Sequence, residues 1–415
     1  MPHSKKSKVY QLLDKGVRIA SPESIEIGED VKVENISADG VVLHAGSKIF
    51  GSSTLISRDT KIGHESPATV KQCQIGPGVE LKGGYFEGAV FLAKAKAGSG
   101  AHVREASIFE EQASVAHTVG TKHTILFPFV TLGSLINFCD CLMAGGTSRK
   151  NHSEVGSSYI HFNFTPKQDK ATASLIGDVP RGVLLNQPPI FLGGQGGMVG
   201  PCRLAFGTTV AAGTIVRKDE LRSGRLIFGA APPQGNMPYQ PHQYGNLRRV
   251  VMNNIMYIAN LIALNQWYRH VRSQFMSNRF PEMLLAGLNE KMDWAISERI
   301  ERLEGLWHTP NKQPAESGSA SDTETFAAAK QQQELIAHGR QLKDFLEQSK
   351  TVSGHNSCRD AFLEAVLKGI QQKGPDYIPV IQQLSPSDGK LATAWLQGII
   401  DHIVKDALDI MPSFK

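Results

Sequence analysis

Side chains able to exchange protons or to hold anions are concentrated in one short part of the chain, between positions 149 and 181. The candidates in this part are His152, His161, Asn163, Lys167, Lys170 and Arg181. A histidine titrates near neutral pH, so it can act as a general base. Lysine and arginine form charge-assisted hydrogen bonds with phosphate groups. The alternative is structural, because a histidine can simply occupy a turn and the two lysines can belong to a solvated loop.

The composition predicts a soluble chain with room for two or three domains. Of its 415 residues, 41% are hydrophobic and 20% are charged. The formal net charge of +5 is mild, so it suits an anionic small substrate and does not by itself indicate nucleic acid. We find no signal-peptide core, no membrane-length apolar run and no CxxC pair among the five cysteines. These features predict a cytoplasmic protein with reduced thiols and with no membrane or nucleic-acid partner.

A spacing of six residues between branched apolar side chains defines the first half of the chain. Leu204, Val210 and Val216 follow one another at this interval, with Ala205 and Ala211 directly after the first two. This period is neither that of a helix nor that of an ordinary strand. It is typical of a parallel β-helix, in which the branched residue points inward and small residues occupy the corners.

The same interval recurs upstream, which makes the prediction specific. It links Leu43 with Ile49 and Leu55, Ile75 with Leu81, Ala97 with Val103, Val119 with Ile125, and Leu132 with Phe138. The phase slips at Ile62 and Ile108, which indicates loops or uneven coils. We expect about ten to twelve coils of roughly eighteen residues. A β-sandwich would instead show alternation with a period of two between hairpin turns, and we find neither.

The composition changes after the β pattern ends near Gly229. Residues 230–246 are rich in Pro, Gly and Asn and predict a linker. Amphipathic spacing beyond it predicts helices over 247–275, from Pro281 onward, and over 326–349, 357–373, 377–384 and 387–410. The expected domains are a lead-in helix in 1–20, a β-helix over 21–229, a linker over 230–246 and an α-helical domain over 247–415.

Two stretches resemble one known family. Gly16, Val17, Ile19 and Pro22 form a phrase similar to the entry into the acetyltransferase half of the bifunctional N-acetylglucosamine-1-phosphate uridyltransferase/glucosamine-1-phosphate acetyltransferases. Positions 151–219 are similar to the core of that half. The resemblance covers about residues 12–220 and implies a left-handed parallel β-helix, so we expect a mainly β chain with a helical C-terminal domain. The Gly-rich nucleotide loop of the family's uridyltransferase half has no match, so we do not expect that chemistry.

The resemblance implies transfer of an acyl group from acetyl-CoA to an amino-sugar phosphate or a nucleotide sugar. His152 matches the general base, and His161 stays open as the alternative because it is closer to Asn163 in sequence. Asn163 matches the asparagine that contacts the acetyl-CoA end. The small residues that match those beside the pantetheine arm are Gly194, Ala211 and Ala212.

The resemblance also assigns the cations of this part of the chain. Lys167 or Lys170 matches a loop lysine that meets phosphate, and Arg181 adds positive charge nearby. Phe164 stands where the family has a tyrosine, so any role of a hydroxyl group is lost at that position.

Assembly and the alternatives follow from the same reasoning. Related active sites lie between neighbouring subunits, so the resemblance implies a homotrimer. A second hypothesis is a non-catalytic or sugar-nucleotide-binding β-helix scaffold, because a fold does not fix a function. A zinc site at His117 and His123 is a third. We expect no metal, because the six-residue spacing puts these two histidines on adjacent faces rather than on one.

Overall fold

The chain folds as a left-handed parallel β-helix followed by a helical region, so the predicted fold class is confirmed. The computed structural model describes residues 7–163, 170–229, 235–236, 246–307 and 322–415, without the side chains of 322–328. The β-helix has about 11 turns, which agrees with the number expected from the six-residue spacing. Among the described residues, 39% are helical and 22% are in strands, because the β-helix consists largely of turns.

The strands of the β-helix are short, and most have two to four residues. In chain order, the strands of the described residues are β1 (Arg18–Ile19), β2 (Glu26–Ile27), β3 (Val42–Leu43), β4 (Lys48–Phe50), β5 (Leu55–Ile56), β6 (Lys61–Ile62), β7 (Ala68–Lys71), β8 (Gln74–Ile75), β9 (Glu80–Leu81), β10 (Gly84–Glu87), β11 (Val90–Phe91), β12 (Lys96–Ala97), β13 (Ala101–Val103), β14 (Ile108–Phe109), β15 (Ser114–Val115), β16 (Gly120–Leu126), β17 (Thr131–Leu132), β18 (Asn137–Met143), β19 (Gly146–Ser148), β20 (Asn151–His152), β21 (Glu154–Val155), β22 (Ile160–Phe162), β23 (Ser174–Ile176), β24 (Phe191–Leu192), β25 (Gly197–Val199), β26 (Arg203–Leu204), β27 (Thr209–Val210), β28 (Ile215–Val216) and β29 (Leu226–Ile227).

These strands stack into the three faces of a prism. Face A is an 11-stranded sheet that runs from β1 through β3, β6, β9, β12, β15, β17, β21, β24 and β27 to β29. Faces B and C belong to one 16-stranded sheet, because β16 and β18 run through the corner between them. Face B includes β13, β22, β25 and β28, and face C includes β5, β8, β11, β14, β23 and β26. We name the corners AB, BC and CA in the order in which the chain passes them.

Corner AB repeats one backbone conformation in successive coils. Thr118, Leu135, Ser158 and Gln195 have φ values of 57°, 59°, 60° and 51°. The backbone N–H of Leu135, Ser158 and Gln195 donates to the carbonyl oxygen at the preceding corner position one coil earlier, at 3.1, 2.8 and 2.8 Å. The corner residues of neighbouring coils are therefore aligned in columns along the axis.

The outward side chains distinguish face C from face A. On face A they are mostly charged or hydroxyl-bearing, as in Lys96 and Glu80, whose side chains pair at 3.3 Å. On face C they form a largely apolar column in register, namely Leu55, Gln74, Val90, Ile108, Ile125, Leu142 and Leu175. The expectation that Leu55 and Ile125 point inward is wrong, because the interior residue of each is the next one, Ile56 or Leu126. This column is buried by helices. The phase slips at Ile108 because this residue belongs to the outward column and not to the inward series.

Eight helices belong to the described residues. They are α1 (Lys8–Lys15), α2 (Val179–Gly182), α3 (Leu247–His270), α4 (Glu282–Glu304), α5 (Asp322–Gln348), α6 (Asn356–Lys373), α7 (Tyr377–Gln382) and α8 (Pro386–Ile410). The helix predicted near the N-terminus is α1, and Gly16 ends it with a φ of 112°. The other predicted helices are confirmed to within a few residues, because their apolar spacing and their Pro and Gly boundaries are strong local signals. Within this part of the chain, none of the helices has the length and apolar character needed to cross a membrane.

Helix α4 lies along corner BC, parallel to the β-helix axis. Gly287 packs so closely on Gln74 that a Cβ atom on the glycine would lie 2.6 Å from the Gln74 amide oxygen. At the other end of the contact, Arg299 pairs with Asp140 at 2.9 Å. The helix rises about 18 Å from Gly287 to Arg299. The four coils from Gln74 to Asp140 span about 19 Å. The match lets one straight helix cover the corner.

The helical region is joined to the β-helix by buried polar contacts as well as by apolar packing. The Arg272 guanidinium donates to Glu111 at 2.8 and 2.7 Å and to Glu110 at 3.3 Å. Tyr268 donates to Glu110 at 2.6 Å. Most of the expected linker, positions 230–234 and 237–245, lies outside the described residues. The domain boundaries expected at 21–229 and 247–415 remain predictions.

Candidate functional site

Corner AB holds a column of small and polar residues that runs along the β-helix. The second residue after each face A strand gives, in consecutive coils, Ser99, His117, Ser134, Ser157, Gly194 and Ala212. The register of β21, β24 and β27 aligns Val155 with Leu192 and Val210. This alignment brings the three predicted donor-binding residues, Gly194, Ala211 and Ala212, together in adjacent coils.

The first residue after each face A strand from β12 to β27 is Gly or Ala, because the next coil approaches it closely. A Cβ atom on Gly156 would lie 2.4 Å from the backbone nitrogen of Gly194. A Cβ atom on Gly193 would lie 2.4 Å from the backbone nitrogen of Ala212. Gly194 and Ala211 are half-buried and Ala212 is exposed. This end of corner AB is therefore a smooth ridge with no large side chain over it.

Asn163 lies at a different corner. It follows β22 at corner BC, and its amide nitrogen donates to Asp140 at 2.9 Å. Asp140 is buried and also pairs with Arg299 of α4 at 2.9 Å. The side chain that was predicted to contact the acetyl-CoA end is thus held in a network that ties the corner to the helical region.

Acidic and basic side chains lie close together at corner BC, beneath α4. His123 lies in the coil before Asp140, with its Nε2 3.8 Å from Glu298 of α4. Burial, with a smaller contribution from the nearby Arg299, lowers the pKa of His123 to about 4. The imidazole is therefore neutral at pH 7, so the cationic member of this cluster is Arg299.

His152 lies at corner CA, in a small antiparallel hairpin formed by β19 and β20. Its Nε2 is 3.7 Å from the carboxylate of Glu154. Its Nδ1 is buried, and no hydrogen-bond partner for it exists in the described part of the chain. A carboxylate beside a histidine can orient the ring for proton transfer. Within one chain, however, this histidine shares no corner with Gly194 or Asn163.

Arg181 also lies at corner CA, in the short helix α2. Its backbone N–H donates to Asp178 at 3.0 Å and its Nε donates to the same carboxylate at 2.8 Å. The guanidinium lines a cleft of about 560 Å³ between this corner and α8, together with Lys390 and Gln382. Its charge is already partly neutralised by Asp178.

Of the two lysines in the predicted phosphate loop, Lys170 belongs to the described residues and Lys167 does not. Lys170 is exposed and precedes β23. Lys167 and Phe164 lie outside the described residues. The alternative base, His161, is buried inside the β-helix, where its Nε2 is 2.8 Å from the Ser174 hydroxyl. Burial lowers the pKa of His161 to about 4.

Sequence reasoning missed one exposed histidine of corner AB as an acid–base group. His117 is exposed, and its Nδ1 lies 2.9 Å from the Ser134 hydroxyl of the next coil. The signal was present, because Val115 and Leu132 are in register and therefore align His117 with Ser134. His117 and His123 lie at different corners, and in the described ranges no group of three His, Cys, Asp or Glu residues could hold a metal ion.

Similarity to curated proteins covers about half of the chain. "Bifunctional protein GlmU" of Koribacter versatilis is 28% identical over 228 residues, which cover 54% of this chain and 43% of that protein. The protein of the same name from Clavibacter sepedonicus is 27% identical over 222 residues, with 54% and 40% coverage. The chain thus spans less than half the length of these curated relatives. No family model matches it.

Two solved structures are detected with low TM-scores. UDP-N-acetylglucosamine acyltransferase from Campylobacter jejuni is 10% identical and has a TM-score of 0.17, covering 51% of this chain and 69% of that one. LpxA from Acinetobacter baumannii is 12% identical and has a TM-score of 0.16, with 52% and 70% coverage. The sequence matches, taken with the six-residue coils and the β-helix, fit a hexapeptide-repeat, acetyltransferase-like family.

Proposed function

We propose that the protein transfers an acyl group from acetyl-CoA to the amino group of a sugar phosphate or nucleotide sugar. The observation that carries this proposal is the small-residue end of corner AB. Gly194, Ala211 and Ala212 lie in adjacent coils there, within the stretch 12–220 that resembles the acetyltransferase family. Because these residues have no bulky side chains, the pantetheine arm can approach the backbone closely. The amide groups of the arm can then form hydrogen bonds with backbone amides.

Assembly is part of the proposal, because His152 and Asn163 lie at other corners. In a homotrimer, a neighbouring copy would have to bring one of them to corner AB. Exposed apolar side chains flank this corner in the last coils. They are Phe191, Leu226 and Phe228 on the side of face A and Ile160, Phe162 and Ile215 on the side of face B. Such a concentration favours burial against another surface.

The acceptor is proposed to be an anion. Lys170 is exposed and Arg181 is half-exposed, so both are accessible to solvent and to phosphate oxygens. Lys167 belongs to the same predicted phosphate contact. In the reaction, the acceptor amine loses a proton to a base and attacks the thioester carbon. The C–S bond then breaks, and the coenzyme A thiolate takes up a proton.

The test combines binding and turnover. Isothermal titration of the full chain with coenzyme A should give a dissociation constant below the millimolar range. Free thiol should appear from acetyl-CoA only when an amino-sugar phosphate is present. Asn163→Ala should weaken binding or turnover, and Gln112→Ala at the distant corner CA serves as the surface control. Absence of both coenzyme A binding and turnover with a panel of amino-sugar phosphates would remove the enzymatic proposal.

A non-catalytic scaffold is the second candidate function. It is favoured by the Asn163–Asp140–Arg299 network, which already engages the amide of Asn163 and covers corner BC with α4. In that case the nucleotide sugar would bind to the protein without being converted chemically. Isothermal titration of the full chain with the nucleotide sugar, together with a turnover assay, separates the two functions. Binding of the nucleotide sugar with no thiol release supports the scaffold.

A further inference from the structure

We propose that His117 is a catalytic residue of this protein, namely the group that takes the proton from the acceptor amine at corner AB. This inference rests on the proposed acyl transfer. His117 is exposed and belongs to the same column of corner residues as Gly194 and Ala212. No second copy of the chain is needed to bring it to that corner.

The spacing along the column suits the donor. His117 lies three coils from Gly194 and four from Ala212, which is about 14 and 19 Å at 4.8 Å per coil. The pantetheine arm has a backbone as long as about four residues, so its extended length is roughly 14 Å. An arm lying beside Ala212 and Gly194 and directed toward the N-terminal coils therefore brings its thioester close to Ser134 and His117.

The ring of His117 is held in a defined way. Its Nδ1 lies 2.9 Å from the Ser134 hydroxyl, and the backbone N–H of Ser134 donates to the Ser157 hydroxyl at 3.1 Å. Three consecutive coils therefore fix Ser134 and, through it, the imidazole. No described residue forms a hydrogen bond with Nε2 of His117, so this nitrogen is available to an incoming amine.

The contrast with the other two histidine candidates supports the choice. His161 is enclosed within the β-helix, and burial lowers its pKa to about 4, so an acceptor cannot reach it without opening the coil. His152 pairs with Glu154 at corner CA. Among the three, His117 combines exposure with a fixed ring at the corner of the small residues.

The chemical step is balanced without a further reactant. Nε2 of His117 takes a proton from the acceptor amine while the amine nitrogen bonds to the thioester carbon. The carbonyl re-forms as the C–S bond breaks, and the coenzyme A thiolate leaves with the proton returned by the imidazolium. Ser134 is a positioning residue, because it acts on the imidazole and not on the substrates.

The experiment measures four proteins side by side: the wild type, His117→Ala, His152→Ala and the surface control His102→Ala. We expect His117→Ala to lower acetyl-CoA turnover by about 10²–10⁴-fold, with unchanged thermal unfolding and with the coenzyme A dissociation constant changed less than threefold. Added imidazole should restore part of the rate.

The outcomes separate the inference from the function on which it rests. Wild-type turnover that His117→Ala retains in full overturns the assignment of His117 and leaves acyl transfer standing. A loss with His152→Ala and not with His117→Ala transfers the role to His152. If the wild type neither binds coenzyme A nor releases thiol from acetyl-CoA, the proposed function fails and the assignment of His117 fails with it.

Discussion

Corners AB and BC are produced by the same repeated coil, yet their surroundings differ. At corner BC, α4 covers Asp140 and His123, and the charge of Arg299 is buried between the β-helix and the helix. At corner AB no described helix covers Ser157, Gly194 or Ala212. The first corner is fixed by ionic contacts that hold two parts of the chain together. The second remains open and lined by small or hydroxyl-bearing residues.

Position in the repeat therefore does not decide function in this fold. Asn163 and Gly194 are both matched by family resemblance, but Asn163 is already engaged by Asp140 at 2.9 Å. The backbone at Gly194 is accessible. A covered corner contributes to stability, whereas an open corner can receive a ligand. Substitutions at the two corners can test this division.

Removing the buried cation at corner BC should have the largest effect. Arg299→Ala leaves Asp140 and Glu298 without their shared partner, so we expect a loss of about 3–5 kcal/mol in the free energy of unfolding. Arg302→Ala is the matched control on the same helix, because Arg302 is 38% exposed and pairs with Glu298 at 2.8 Å. The control should cost less than about 1 kcal/mol. Urea unfolding measures both, and equal effects would contradict the importance of burial.

Adding one methyl group at corner AB should be the next largest change. In Gly156→Ala the new Cβ atom would lie 2.4 Å from the Gly194 backbone nitrogen, so two coils must separate. We expect a loss of about 1–3 kcal/mol in the free energy of unfolding. Gly120→Ala is the control, because a Cβ atom there meets nothing within 4 Å. A stable Gly156→Ala protein would show that the coils at this corner yield easily.

The covered side of the molecule should also respond to pH through Glu110. Burial raises the pKa of this carboxyl to about 7, with the adjacent Glu111 adding to the rise. The folded state then binds a proton that the unfolded state has lost, so the free energy of unfolding falls as the pH rises from about 4.5 through about 7. The effect should be on the order of 1–3 kcal/mol.

The variant Glu110→Gln isolates this effect. Buried His123 and His161 have lowered pKa values of about 4, and they act in the opposite direction, since protonation of the unfolded state destabilises the protein as the pH falls below about 6.5. We therefore compare the free energy of unfolding of Glu110→Gln with that of the wild type at each pH from about 5 to about 8. A difference that does not change with pH would show that Glu110 is ionised throughout.

The smallest expected effect on stability belongs to the open corner. Ala212→Leu adds an exposed side chain, so the free energy of unfolding should change by less than about 0.5 kcal/mol. If the pantetheine arm lies there, the dissociation constant for coenzyme A should rise at least tenfold. Thr209→Leu, on the outer side of face A, is the control. Unchanged affinity in Ala212→Leu would move the donor away from this end of corner AB.

Much of the fold could be predicted because its signals are local. The interval between Leu204, Val210 and Val216 sets the coil, since each inward residue must fill the same narrow interior. Helix α8 was predictable from its apolar spacing and from Ser385, which accepts a hydrogen bond from the backbone N–H of Asp388. The outward apolar column on face C was a readable signal for a covering helix, but it was taken for the inward phase at Leu55 and Ile125.

The candidate site was predictable only in part. Gly194, Ala211 and Ala212 are in adjacent coils because a strict register aligns residues that are distant in sequence. The hairpin of β19 and β20 inserts extra residues at corner CA, and this insertion separates His152 from the small residues. Such an insertion changes the corner without changing the spacing of inward residues, so periodicity does not detect it.

The repeated coil, the helices and the small residues at the corners could be read from the amino-acid sequence, since each depends on neighbours within a few positions. Which corner is covered depends on contacts made in the folded chain. The docking of α4 depends on the pairing of Arg299 with Asp140 and on the close approach of Gly287 to Gln74, contacts between residues far apart in the chain. The folded β-helix likewise places Ser134 beside His117, because the coil length, and not sequence proximity, aligns one corner with the next.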